Sequence, residues 1–290
     1  MQHTNYLPAV LWVLLSTWLW TLIFAAAKFA DGSVGAFQIT FLRYVGALAT
    51  VLLLAHWRGG LLAHRSCQPA AHFLRALCGS SAAVAITWAS AHMPIADATA
   101  FGMLYGVIAV LLGVVFLKER LNHRLRWAIA LSLAGTVIVI VGKGAFREAL
   151  PAAPAFAAAA SACLLAVEGL LIRILGQSEK ALSVMLYVCF FGLFLMAAPA
   201  YANWQSLNVE AVFTCILLGP VSIGAQYATI RGYRSAPLSV VGPVDYTWIV
   251  FAALLGFVAF GERSETTTLV GGALIVLGGV LLVRTSSPPQ

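Results

Sequence analysis

Charge is scarce in this sequence. Only 9% of its 290 residues are Asp, Glu, Lys or Arg, against about 25% in soluble domains. That is too few to cover the surface of a soluble fold of this length. In a bilayer the outer surface must be apolar, so the shortage is expected there. Metal and thiol chemistry are also poorly provided for. The five cysteines form no C-x-x-C, most lie inside apolar runs, and none of the six histidines has metal-ligand spacing; the cysteines read as small apolar packing residues. No Walker loop, G-x-S-x-G or H-E-x-x-H is present. An ATP-driven pump and a nucleophilic or metal enzyme therefore lack their usual machinery, and no cofactor or metal is expected. The N-terminus, MQHTNYLP, has no basic n-region, so the first apolar run is expected to remain as a helix rather than leave as a signal peptide.

What the sequence has is apolar length. Hydrophobic residues make up 61%, and mean hydropathy is +0.94. Runs near the 20 residues needed to span a bilayer fall at about 7–27, 36–57, 72–91, 95–117, 125–142, 152–175, 181–200, 209–230, 238–260 and 267–284. Ten spans fill the chain and leave no room for a sizeable soluble domain. The net charge of +7 has no basic face to sit on, so nucleic acid is not an expected partner. Assigning Lys and Arg to alternate sides puts twelve on the N-terminal side and four on the other, with Arg43 inside a span. The twelve include Arg58, Arg75, Arg173, Lys180, Arg231 and Arg234. The excess predicts both termini in the cytoplasm, in a cell (inner) membrane.

An internal repeat is the most informative feature. Residues 94–142 align without gaps to 237–285, at an offset of 143, with 13 of 49 positions identical. Pro94 meets Pro237, AVLLGVV meets AALLGFV, and Glu119-Arg120 meets Glu262-Arg263. Each half carries five spans, and an odd number turns the second half over in the membrane. The loops agree: KERLNHRLR is strongly basic, whereas its counterpart GERSETTT has one Arg and two Glu. The expected fold is therefore all-α, with ten transmembrane helices in a 5+5 inverted repeat over 1–147 and 148–290. Inverted repeats are common in secondary transporters, where two mirror-related halves can open one central site to either side in turn.

The stretch PVDYTWIVFAALLGFVAFGERSETTTLVGGALIVLGGVLLV resembles the EamA repeat of the drug/metabolite transporter superfamily. The carrying elements are the early Pro, the F-G-E-R helix end and the G-x-x-L-I-x-x-G-x-x-L final helix. The first half repeats them as Pro94, L-K-E-R and ALSLAGTVIVIV, and FQITFLRY is similar to the family's early Arg-bearing helix. The resemblance implies metabolite transport, usually export of amino acids or related compounds. One branch exports aromatic amino acids, and the aromatic candidate site makes that branch the preferred expectation. Drugs and nucleotide sugars are alternative cargoes of the superfamily.

Ionisable groups inside spans are costly and mark function by default. Asp245, in G-P-V-D-Y-T-W, reads as a site for an amine or proton beside a helix broken at Pro243, or as an interfacial acid paired with an Arg. Glu168 reads as half of a mouth-facing pair with Arg173, and Arg43 as a carboxylate holder or a structural pair with Asp97. Gly219-Pro220 predicts a second break, with Gln226 and Tyr227 beyond it. Trp18, Tyr105 and Trp248 lie near midspan, as core packing or as stacking surfaces for an apolar substrate; the 143 offset relates Tyr105 to Trp248. Trp12, Trp57, Trp127 and Trp204 read as interfacial anchors. The expected substrate contacts are Asp245, Tyr246, Trp248 and Tyr105, with Met103, Thr99, Trp88, Ser81, Trp18, Gln226 and Tyr227 around them, and Pro220 and Pro243 as gating breaks. Gly102-x-x-x-Gly106 suits tight internal packing or a weak dimer of an otherwise monomeric carrier. A membrane enzyme acting on lipid would use an interfacial Glu168 or His123. A non-transporting scaffold would have no need of the intramembrane acid.

Overall fold

A computed structural model of the chain describes residues 7–26, 34–102, 104–117, 152–236, 247–261 and 266–285. It also describes residues 241, 244 and 245 and isolated positions between 127 and 138. The helices are α1 (Leu7–Phe24), α2 (Ala36–Trp57), α3 (Pro69–His92), α4 (Ile95–Gly102), α5 (Leu104–Leu117), α6 (Ala152–Ser178), α7 (Ala181–Ala202), α8 (Val209–Ser235), α9 (Thr247–Phe260) and α10 (Thr266–Thr285), with one 3-10 turn at Leu61–His64. No strand occurs among the described residues. Among the described residues, six helices are long and apolar enough to cross a membrane: α1, α2, α3, α6, α7 and α8. The ten helix labels are not the ten expected spans. Helices α4 and α5 together cover the fourth, and most of the fifth, 125–142, lies outside the described residues.

Local sequence sets the helix ends. Pro69 opens α3, where its missing N–H costs nothing. The Asn208 side chain caps α8 by accepting from Ala211 N at 2.7 Å. Helix α8 stops at Ser235, before Pro237.

Large apolar side chains face outward: Leu7, Leu11 and Leu15 on α1, Phe190 and Phe194 on α7, and Phe213 and Leu217 on α8. Between helices the residues are small. Ala76, Gly79, Ser80 and Ala83 of α3 are buried, as are Ala158, Ala162 and Ala166 of α6, the helix that α3 packs against. Lipid chains are as apolar as Leu, so close backbone approach rather than apolar burial holds such helices together.

The packing partners come in exchanged pairs. Helix α1 packs on α8, and α3 on α6. Helix α2 packs on α8, and α3 on α7; α1 packs on α9, and α4 on α6. Swapping the first four expected spans with the sixth to ninth turns each of these pairs into another observed pair. It leaves α2 on α7 and α4 on α9 unchanged.

The helix break expected at Gly219-Pro220 is absent, because α8 runs unbroken through Pro220. Gly219 is instead a crossing point: a Cβ there would sit 2.3 Å from Ala47 N of α2. One turn earlier, a Cβ at Gly46 would sit 2.0 Å from Ile216 O. Pro220 has no N–H for that Ile216 carbonyl. The carbonyl faces the Gly46 backbone, where a Cα–H contact of about 0.5–1 kcal/mol can receive it. Pro220 itself is exposed on the outer face.

Candidate functional site

Helices α1, α5, α6, α8 and α9 surround a cavity of about 110 Å³. This is smaller than the roughly 300–1,000 Å³ of sites that enclose a drug-sized ligand. Two carboxylates, Asp245 and Glu168, line it, with the rings of Trp20, Phe24, Tyr105, Tyr233 and Trp248. No Lys or Arg is among its described lining residues.

Asp245 is buried just ahead of α9. The Tyr105 hydroxyl donates to its Oδ2 at 2.5 Å, and the Tyr233 hydroxyl donates to the same oxygen. No described residue bonds to Oδ1, and no described cation pairs with the carboxylate. A buried charge without a partner is expensive. The two phenols stabilise it only in part and leave an acceptor for a cation or a proton.

Glu168 is differently placed. Its Oε1 lies 3.5 Å from Nη2 of Arg75, a fully buried guanidinium. Arg75 also donates to Val184 O at 3.0 Å and to Gln226 Oε1 at 2.5 Å. Gly79 makes room for this pair, since a Cβ there would fall 2.7 Å from the Glu168 carboxylate. Beside it Tyr44 and Ser80 share a hydrogen bond of 2.9 Å, and the Arg43 guanidinium lies over the rings of Tyr44 at 4.7 Å and Trp20 at 5.8 Å. Threonine and serine hydroxyls complete the wall: Ser16 bonds Thr229 at 2.6 Å, and Trp20 Nε1 donates to Thr229 at 3.4 Å.

The model of the EamA-like transporter family matches the chain twice, over residues 7–141 and 153–284. The chain belongs to the EamA-like transporter family. It is similar to the pseudopaline exporter CntI of Pseudomonas aeruginosa, 25% identical over 95% of this chain and 96% of that protein. A probable terminal-alkyne amino-acid exporter of Streptantibioticus cattleyicolor is 30% identical over 72% of each chain. An S-adenosylmethionine uptake transporter of Rickettsia bellii is 20% identical over 96% of this chain and 94% of that protein. A solved crystal structure, 23% identical, shares the fold with a TM-score of 0.74, covering 97% of this chain and 99% of that one. The protein is thus a multi-pass membrane transporter.

In this EamA-like transporter, Asp245, Tyr105, Trp248 and Gln226 come together in the cavity. Met103, Tyr246 and Pro243 lie outside the described residues. Thr99 is buried in α4, away from the lining. Trp18 packs edge-on against Phe251 at 5.4 Å, and Trp88 lies 4.5 Å from the His92 ring. Ser81 is partly buried on α3, which contributes nothing to the lining. Tyr227 turns the other way, against Trp12 at 5.7 Å.

Two expectations from sequence change. Arg75, counted among the loop cations, is the buried partner of Glu168, and Glu168, expected to pair with Arg173, lines the cavity. Tyr233 and Thr229 are not singled out in the sequence: Tyr233 lies past the expected span end at 230, in the last turns of an α8 that continues to Ser235, and Thr229 lies inside that span. Their spacing from Gln226 (i, i+3, i+7) places all three on one helical face and could have found them.

Proposed function

We propose that this transporter exports a small amine-bearing metabolite, an amino acid with an apolar or aromatic side chain, by alternating access through the cavity at Asp245. The observation that carries this reading is the lining: among the described residues, two acids, no base and five aromatic rings. The Glu168 charge is met by Arg75, which leaves Asp245 as the anion for an incoming ammonium. A ring facing a cation contributes about 0.5–1 kcal/mol where exposed and about 2 kcal/mol when desolvated, and rings also stack on apolar substrate. Two relatives are named as exporters, one of them of an amino acid. The exchanged packing pairs and the 143-residue offset support two five-helix halves, 1–147 and 148–290, that rock around the site. Gly102 stands where the offset would put a second Asp245, so the acid belongs to one half only. Cytoplasmic termini in a cell membrane follow from the loop charges.

The cavity is small in this conformation. An aromatic amino acid needs its walls to part, as the rocking of two halves would allow. A counterflow screen in proteoliposomes tests the reading. Labelled apolar and aromatic amino acids should exchange, and their deaminated acids should not compete. Equal competition by acids that lack the amine would overturn it.

A further inference from the structure

A second and larger cavity, of about 600 Å³, lies on the other side of α8. Gln226, Thr229 and Tyr233 face the first cavity, whereas Tyr227, Arg231 and Arg234 face this one. It opens at the end of the bundle where α2 and α8 finish and α7 begins. Arg58, Lys180, Arg231 and Arg234 line it, with no acid among the described lining residues. No described carboxylate pairs with any of the four. The nearest acid in sequence, Glu179, is engaged by Ser66 and by His72 at 2.9 Å.

His64 is the second observation. It lines the cavity and is only 4% exposed, yet neither ring nitrogen has a hydrogen-bond partner. Buried polar atoms are rarely left so. The turn that carries it is amphipathic in a particular way. Leu61 and Leu62 of Leu61–His64 point outward, Leu62 at 90% exposure, beside the exposed Trp57. An exposed Trp-Leu-Leu rim at a helix end suits the boundary between headgroups and acyl chains. The wall beyond the cations is apolar, with Leu54, Leu182, Met185 and Ile223.

The geometry points to a binding site for the phosphate of an anionic phospholipid. The phosphate lies among Arg58, Arg231 and Arg234 and accepts from His64 once that ring, whose nitrogens are closed off here, turns toward it, and the acyl chains run along the apolar wall. Neutral lipid lacks the net charge that four cations call for, and free phosphate leaves the wall uncovered. Basic pockets between helices on the cytoplasmic side are suited to such headgroups. The site is separate from Asp245 and does not depend on the substrate assigned there.

The test uses the full chain, purified and delipidated, with thermal unfolding and native mass spectrometry as readouts. Added phosphatidylglycerol should raise the unfolding temperature and leave a bound adduct; phosphatidylcholine and inorganic phosphate should do neither. Arg58→Gln with Arg231→Gln, both exposed positions, should weaken phosphatidylglycerol binding about thirtyfold. His64→Phe should lose the adduct, and His64→Gln, which keeps a donor, should retain part of it. Equal effects of phosphatidylcholine would overturn headgroup recognition. A shift with inorganic phosphate alone would make it a soluble-anion site and overturn the lipid. Unchanged binding in the folded double variant would sink the proposal.

Discussion

Asp245 and Glu168 are both carboxylates in one cavity, and their surroundings give them different work. Asp245 accepts from two phenols and meets no described cation. Glu168 is held by Arg75. Asp245→Asn should keep the protein folded, because the amide oxygen still accepts from Tyr105 or Tyr233. It should lose the ammonium contact, a charge-assisted bond of about 1.5–3 kcal/mol. Substrate affinity should fall on the order of tenfold to a hundredfold, read as half-saturation in proteoliposomes at matched protein abundance. Wild-type affinity would remove Asp245 from the mechanism. Glu168 predicts the opposite balance. Glu168→Gln leaves the Arg75 guanidinium buried without its counter-charge, at a cost of about 3–5 kcal/mol. Replacing both, as Arg75→Met with Glu168→Leu, should recover most of that stability in thermal unfolding while still abolishing transport. If the double change unfolds as readily as the single one, the pair matters for more than mutual neutralisation.

At the scale of elements, the crossing of α2 and α8 governs the frame. Two glycines, Gly46 and Gly219, bring backbone against backbone, so there is no flexible side chain to give way. Gly46→Ala should destabilise by about 1–3 kcal/mol or more, seen as a lower unfolding temperature in detergent. Gly224→Ala on the same helix should be mild, since a Cβ there meets only Leu19 Cδ1, at 3.7 Å. The Gly-Pro pair was legible in the sequence but its role was not. A proline predicts a lost donor, and the sequence cannot say whether the freed carbonyl meets water, a ligand or a neighbouring backbone. Here it meets Gly46. The same limit applies to Trp18, Trp88 and Tyr227. Each is an expected substrate contact, yet each turns to a protein ring rather than to the cavity at Asp245.

For the whole molecule, the five free cysteines make orientation measurable. Cys67 is exposed in the connection between α2 and α3, on the end that carries the basic loops. A charged, membrane-impermeant maleimide should label Cys67 in inside-out vesicles and leave it unlabelled in intact cells. Cys163, exposed near the middle of α6, should stay unlabelled by that reagent in both, because its surroundings are acyl chains. Labelling of Cys67 in intact cells would reverse the predicted topology. The phospholipid site would then face the outer leaflet.

The sequence by itself determined the class. The shortage of charge excludes a soluble surface, the apolar runs set the spans, and the gapless repeat with its conserved Glu-Arg pair points to the family. The acid and two of the rings that matter, Asp245, Tyr105 and Trp248, also stand out there, because a carboxylate or a midspan aromatic needs a reason in lipid. Tertiary structure decided which polar groups face one another: Tyr233 on Asp245, Arg75 on Glu168, and His64 over a basic pocket. The physical reason lies in helix rotation. A helix of a soluble protein carries one apolar stripe that shows which side faces inward. These helices are apolar almost all round, so periodicity leaves their rotation unmarked. Small residues at the crossings fix it, and only the packed bundle brings those crossings together.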